Sequence, residues 1–225
     1  MPSLADLQFL SGSNALIGLI VTAALIVLLA DWRLALFALA FQYVLLGLLL
    51  TSLVSPGVAI VRIISGGLAA TILFLTMRHR AYAERAVVPD SGAEEPAATS
   101  MAARVSVFIV GWPFRFFAVA LVAVAIIGFS SSMTLLGLRP FVLFSSLWLM
   151  AIGVLIAMVS RDVLRLGLGI LAFTGGFSIL DTAMENSLFL YALLNIADLL
   201  IALGVAHLAS LSSDAVMNRR RGDLP

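Results

Sequence analysis

The chain has 225 residues, of which 62% are apolar and only 11% charged, against about 45–50% and 25% in typical soluble domains. Its mean hydropathy of +1.15 excludes a water-soluble enzyme, and its net charge of +1 gives no sign of nucleic-acid binding. The chain has no cysteine, which excludes thiolate zinc sites and iron–sulfur ligation, and its two histidines, His79 and His207, lie far apart. We therefore expect no metal site and no cofactor.

Seven apolar runs follow one another along the chain, each close to the roughly 20 residues that a membrane-spanning helix needs. They cover about residues 14–30, 34–53, 58–77, 114–133, 141–160, 163–180 and 187–211. None alternates with a two-residue period, which argues against barrel strands. The runs predict an all-α fold, a polytopic membrane helical bundle of about seven transmembrane helices. The N-terminus lacks the basic segment of a signal peptide, so we expect the first span to be retained.

Composition divides the predicted bundle into two blocks. Residues 1–79 form an N-terminal three-helix membrane block. Residues 80–104, which include the stretch Pro-Asp-Ser-Gly-Ala-Glu-Glu-Pro, are predicted to form a flexible linker. Residues 105–213 form a C-terminal four-helix membrane block, followed by a polar tail over 214–225. The short apolar stretch 105–113 is interpreted as interfacial, and an eighth, broken span is the alternative.

The arginines are distributed unequally between the two sides of this bundle. With seven spans, ten of them fall on one side: Arg33, Arg78, Arg80, Arg85, Arg104, Arg161, Arg165, Arg219, Arg220 and Arg221. Arg115 borders the same side, whereas only Arg62 and Arg139 belong to the other. Because cytoplasmic loops carry the excess of basic residues, the linker and the C-terminus should be cytoplasmic and the N-terminus outside.

Asp198 is the one clear ionisable residue at the predicted hydrocarbon depth, near the middle of the seventh span. Tyr191, Asn195 and Asp198 have the spacing i, i+4, i+7 and so share one helix face, on which Asn195 could bond to Asp198. Because a low dielectric disfavours the charged carboxylate, Asp198 could carry protons or bind an ion. Alternatively, it is a neutral group that holds a neighbouring helix by a hydrogen bond.

Other polar residues in the spans have weaker interpretations. Gln42 and Tyr43, in the second span, are expected to serve intramembrane polar packing, although a glutamine can also orient water. His207 could extend a proton path from Asp198 or be incidental, and Arg62 is expected to snorkel towards the outer surface. Small residues predict close helix packing at Gly167, Gly169, Gly175 and Gly176 and at Ser65, Gly66 and Gly67. No nucleophile with a base and no phosphate loop is present, so intrinsic catalysis is not expected.

The last three spans carry a recognisable pattern. The turn Ser160-Arg161-Asp162-Val163-Leu164-Arg165 leads into a glycine-containing helix, and the seventh span brings Asn195-Ile196-Ala197-Asp198. This pattern, over about residues 145–211, resembles the K subunit of respiratory complex I and its relatives. These are the C subunit of multisubunit sodium/proton antiporters and, most similar in layout, the E membrane subunit of hydrogenase-4-type energy-converting hydrogenases.

The resemblance implies roles for particular positions. In that module an Arg-Asn-like turn precedes a helix with a membrane glutamate, and the third helix often holds a second acid. Asp198 falls on the position of the second acid, whereas Leu171 occupies that of the glutamate. The first three spans can be interpreted as another copy, in which Asp31-Trp32-Arg33 is the turn and Gln42 falls on the glutamate position. A parallel three-helix repeat would follow.

The implied function is that of a non-catalytic subunit in the bacterial inner membrane. Its partners would be membrane lipids and the large antiporter-like subunits of a complex I-like assembly, between which it packs, with Asp198 contributing to a lateral polar path for protons or sodium. Two alternatives come from other classes of protein. One is a self-contained small transporter or channel with its site near Asp198 and Asn195, and the other is a structural membrane anchor or assembly protein.

Overall fold

A computed structural model describes residues 13–29, 31–86, 113–129, 139–160, 162–184 and 187–222 of the chain. These residues form seven helices and no strand, so the predicted all-α fold is confirmed. The helices are α1 Ser13–Leu28, α2 Trp32–Leu50, α3 Pro56–Ala86, α4 Pro113–Phe129, α5 Pro140–Val159, α6 Val163–Met184 and α7 Leu188–Gly222. Each corresponds to one predicted span.

Five of these helices are long and apolar enough to cross a membrane, namely α2, α3, α5, α6 and α7. The other two, α1 and α4, are apolar but shorter. At 1.5 Å per residue they extend roughly 24 and 26 Å, somewhat less than a hydrocarbon core of about 30 Å. The chain is thus a multi-pass helical membrane protein.

Proline marks the start of three of the helices. Pro56, Pro113 and Pro140 are the first residues of α3, α4 and α5, where the missing N–H would have no helical partner in any case. Arg139 precedes α5 in an extended conformation, with φ −61° and ψ 129°. The chain therefore enters these helices at positions that the sequence itself marks.

Two helices are longer than the predicted spans. Helix α3 continues to Ala86, through the first seven residues of the predicted linker, and α7 continues to Gly222, into the predicted tail. A helix satisfies its own backbone hydrogen bonds, and Ala, Glu and Arg favour it, so it need not end at the membrane surface. Residues 80–86 of the predicted linker are therefore helical, and 87–112, including the predicted interfacial stretch, lie outside the described residues.

Six of the seven helices, all except α4, pack as two blocks of three, face to face. Within the first block α2 contacts α1 and α3, and within the second α6 contacts α5 and α7. Across the interface α1 contacts α5, α2 contacts α6 and α3 contacts α7. Each helix of the first block thus lies against its counterpart in the second, as a repeated three-helix unit would predict.

Side-chain contacts show that these counterparts run in the same direction. Val58 and Arg62, one turn apart on α3, meet Tyr191 and Asp198, two turns apart on α7, in the same order. By contrast, α5 and α6 run in opposite directions, because Gly153 lies against Gly169 and Ser146 against Gly176. The bundle therefore has one end, termed the arginine-rich end, that holds Arg33, Arg78, Arg80, Arg115 and Arg165.

Close approach of α5 and α6 depends on glycine. A Cβ atom on Gly153 would lie 2.6 Å from the Gly169 carbonyl oxygen, and one on Gly176 would lie 2.6 Å from that of Ser146. Both distances are too short for any other residue. The predicted packing role is confirmed for Gly169 and Gly176 of α6 and for Gly66, which lies against Tyr43. It is not confirmed for Gly67, which has open space beside it.

Candidate functional site

The carboxylate of Asp198 lies at the centre of a polar cluster inside the bundle. Its Oδ2 atom is 2.9 Å from Arg62 Nη1 and accepts a hydrogen bond from the Tyr43 hydroxyl at 2.8 Å. Its Oδ1 atom accepts from the Thr174 hydroxyl at 2.6 Å. The four side chains come from α7, α3, α2 and α6, so one carboxylate connects two helices of each block.

Arg62 is fully buried, with 0% of its side chain exposed, as is Asp198. The expectation that it snorkels to the surface is therefore wrong. Arg62 lies six residues into α3, about 9 Å along the axis, and packing of α3 on α7 places it opposite an acid. Its guanidinium also lies 5.3 Å from the centre of the Tyr43 ring, a cation–π distance.

A second layer of hydrogen bonds adjoins the ion pair. The Ser65 hydroxyl donates to Asn195 Oδ1 at 2.7 Å, and Arg62 Nη1 is 3.4 Å from the same oxygen. Asn195 Nδ2 donates to the Tyr191 carbonyl at 2.8 Å, and the Tyr191 hydroxyl donates to the Val58 carbonyl at 2.9 Å. The predicted polar face of α7 thus binds α3, and Asn195 pairs with Ser65 instead of with Asp198.

The structure brings together three of the predicted candidates on α7, Tyr191, Asn195 and Asp198, and adds Tyr43 to them. It leaves two predicted residues outside the cluster. Gln42 is buried beside Tyr43, and its Oε1 atom has no hydrogen-bond partner among the described residues. His207 is exposed on the surface of α7, nine residues and about 13.5 Å beyond Asp198.

Sequence reasoning missed Arg62, Ser65 and Thr174 as members of the cluster. Arg62 had a signal, since it is a cation within an apolar run, but its meeting with an acid depends on the packing of α3 against α7. Ser65 and Thr174 had none, because Ser and Thr in membrane helices commonly bond to a carbonyl of their own helix. Thr174 indeed lies 3.0 Å from the Leu171 carbonyl as well.

The electrostatics of the cluster are those of a closed, charge-balanced pair. An ionised carboxylate has acceptor atoms only, and each oxygen of Asp198 meets at least one donor. Neither partner is exposed, so in this conformation water does not reach the pair. Such a pair gains little net stability over apolar residues, but the loss of one partner leaves an uncompensated charge.

The arrangement can fix four helices in one register, and it offers no reactive nucleophile. In the described part of the chain, no group of three or more His, Asp or Glu side chains could hold a metal ion. Fold and site therefore define an integral, multi-pass helical membrane protein with a buried ionic core. No protein-family model, curated protein or solved structure matches the chain.

Proposed function

We propose that the chain is a non-catalytic membrane subunit of a complex I-like assembly of the energy-converting hydrogenase type. In this proposal it packs beside large antiporter-like subunits in a bacterial inner membrane. The observation that carries the proposal is the position of Asp198. This residue, on the second-acid position of the complex I K-subunit-like module, meets a cation from the counterpart helix of the other three-helix block.

Two further features support this proposal. The module's turn, around Asp162, joins the closely packed helices α5 and α6, and the third helix of the module carries the acid into the interior. Each helix of the first block, whose turn contains Asp31, contacts its counterpart in the second block. This arrangement agrees with the repeat that the resemblance implies.

The role proposed for the ion pair is to hold the two blocks together in one register. Both carboxylate oxygens of Asp198 have partners, from Arg62, Tyr43 and Thr174, and the side chain is fully buried, which favours a fixed anchor over an open ion path. The polar row from Ser65 through Asn195 and Arg62 to Asp198 joins α3 to α7, so any contribution to a lateral path would require this row to open.

The first test is association with partners. An affinity-tagged chain, expressed from its own genomic locus, should copurify in mild detergent with antiporter-like membrane subunits. A tagged, unrelated multi-pass protein of the same membrane serves as the control for carry-over. Recovery of the chain alone, together with ion transport by the purified chain in liposomes, would contradict the proposal and favour a self-contained transporter.

The second test separates anchoring from proton transfer within that assembly. Asp198→Asn combined with Arg62→Gln removes both charges but keeps the shape and much of the hydrogen-bonding capacity. At matched subunit content, we expect proton translocation to be unchanged. Lost translocation in an intact assembly would instead place Asp198 in the proton path.

A further inference from the structure

A cavity of about 470 Å³ lies at the arginine-rich end of the bundle, where the two blocks meet. Its volume falls within the roughly 300–1,000 Å³ that small-molecule sites occupy. Residues from α1, α4, α5, α6 and the turn before α6 line it. It is therefore separate from the buried ion pair in the bundle interior.

The walls of the cavity are apolar on two sides. Ile26 and Val27 of α1 face the cavity from the first block, and Ile156 and Val159 of α5 face it from the second. Because both helices are apolar along the membrane, the cavity offers a surface suited to the upper part of an acyl chain. A small, fully hydrated anion would gain nothing from such walls.

The remaining lining carries an excess of positive charge. Arg115 of α4 and Arg165 of α6 both line the cavity, against one acid, Asp162. Like charges that line one cavity repel each other. An anion between them would relieve that repulsion, and guanidinium groups are well suited to phosphate oxygens.

Arg165 also connects the two blocks at this end. Its Nη2 atom donates to the Leu29 carbonyl, at the end of α1, at 3.1 Å. A guanidinium carries five N–H donors, so it can bond to this carbonyl and to an anion at the same time. An anion held here would therefore strengthen a contact between α1 and α6.

From these observations we infer that the cavity binds the phosphate group of an anionic membrane lipid. The guanidinium groups of Arg115 and Arg165 hold the phosphate, and the walls of α1 and α5 receive the glycerol and the first part of the acyl chains. Basic pockets between transmembrane helices are typical binding sites for anionic headgroups. The lipid would join the two blocks at the arginine-rich end, as the Arg62–Asp198 pair does in the interior.

The test uses the purified full chain in detergent, stripped of lipid. Phosphatidylglycerol, phosphatidylcholine with the same acyl chains, or inorganic phosphate is added, and thermal stability and retained lipid are measured, the latter by native mass spectrometry. We expect phosphatidylglycerol to raise the melting temperature and to be retained, and the other two to do neither.

Three variants and a control locate the effect. Arg115→Gln and Arg165→Gln should each weaken phosphatidylglycerol binding about fivefold. Each variant is compared with its own lipid-free state, because Arg165→Gln also loses the bond to α1. Val159→Phe, which fills the apolar wall without changing the charge, should also lower retention. Arg33→Gln removes an exposed arginine at the same end, outside the cavity, and should change nothing.

The outcomes that would overturn the inference are distinct. Unchanged phosphatidylglycerol binding in the Arg115→Gln/Arg165→Gln double variant would remove the cavity from lipid binding. Equal retention of phosphatidylcholine would remove the role of charge. Stabilisation by inorganic phosphate that matches and competes with the lipid would assign the cavity to a free anion instead.

Discussion

At the scale of single residues, the Arg62–Asp198 pair stands out because burying two charges costs desolvation free energy. Both charges are fully buried, and a buried pair often contributes no more stability than apolar residues of similar volume. The pair instead constrains the relative positions of α2, α3, α6 and α7, because Asp198 accepts hydrogen bonds from Tyr43 and Thr174 only if these four helices keep their positions. We therefore interpret it as a determinant of helix register.

A double-mutant cycle measures this coupling. Asp198→Leu should lower the free energy of unfolding by about 3–5 kcal/mol, because it leaves a buried guanidinium that cannot lose its proton. Arg62→Met should also lower it, because it leaves the carboxylate of Asp198 buried without its cation. The double variant should lose much less than the sum of the two, as measured by unfolding in mixed micelles.

The control for this cycle is Arg139→Gln, which removes an exposed arginine just before α5 and should alter stability little. Additive losses in the double variant would show that Arg62 and Asp198 contribute independently, contrary to the register interpretation.

At the scale of elements, the helices are joined by close packing as well as by polar contacts. Helices α5 and α6 approach closely along a line that includes Gly153, Gly169 and Gly176. In a membrane, where lipid is as apolar as a leucine side chain, such small residues allow the van der Waals contact that drives helix association. The two helices are therefore the most closely packed pair among the described helices.

Gly176→Leu tests this packing. A side chain there would meet the Ser146 carbonyl and the Met150 amide, 2.6 and 2.8 Å from the new Cβ atom, so we expect a destabilisation of at least about 1–3 kcal/mol. Thermal unfolding in detergent provides the measurement. Gly67→Leu is the matched control, since Gly67 is also helical but has nothing within 4 Å, and it should be neutral or slightly stabilising. Equal effects at the two sites would refute the argument.

At the scale of the whole molecule, the alternation of the helices separates the ends of the bundle. Contacts between antiparallel neighbours and parallel counterparts bring Arg33, Arg115 and Arg165 to one end and Arg139 to the other. The positive-inside rule then predicts that the arginine-rich end is cytoplasmic. The C-terminal end of α7 belongs to that end, opposite the start of α1.

Single cysteines test this orientation directly, because the natural chain has none. Ser55→Cys, exposed between α2 and α3, should react with a membrane-impermeant maleimide in intact cells. Asp31→Cys, exposed between α1 and α2, should react only after the cells are permeabilised. Labelling of both positions in intact cells, or the reverse pattern, would contradict the predicted topology.

The sequence by itself determined where the helices lie, because the length of an apolar run is a local property that the membrane selects directly. All seven helices in the described part of the chain were predicted, although α1 and α4 are shorter than a full span and α3 and α7 continue beyond the apolar runs. The sequence also identified Asp198, since an acid within an apolar run is rare and costly. It could not show where a helix ends in water, because helix propensity is only a weak guide to a helix end and no change in polarity marks it.

Only the tertiary structure decided what Asp198 does with its charge. Arg62, Tyr43 and Thr174 are 136, 155 and 24 residues away along the chain, and nothing local indicates that they meet at one carboxylate. Their convergence follows from the packing of two three-helix blocks, counterpart against counterpart, which places α3 beside α7. The depth and partner of a polar side chain depend on which helices become neighbours, and that choice is made by the whole bundle.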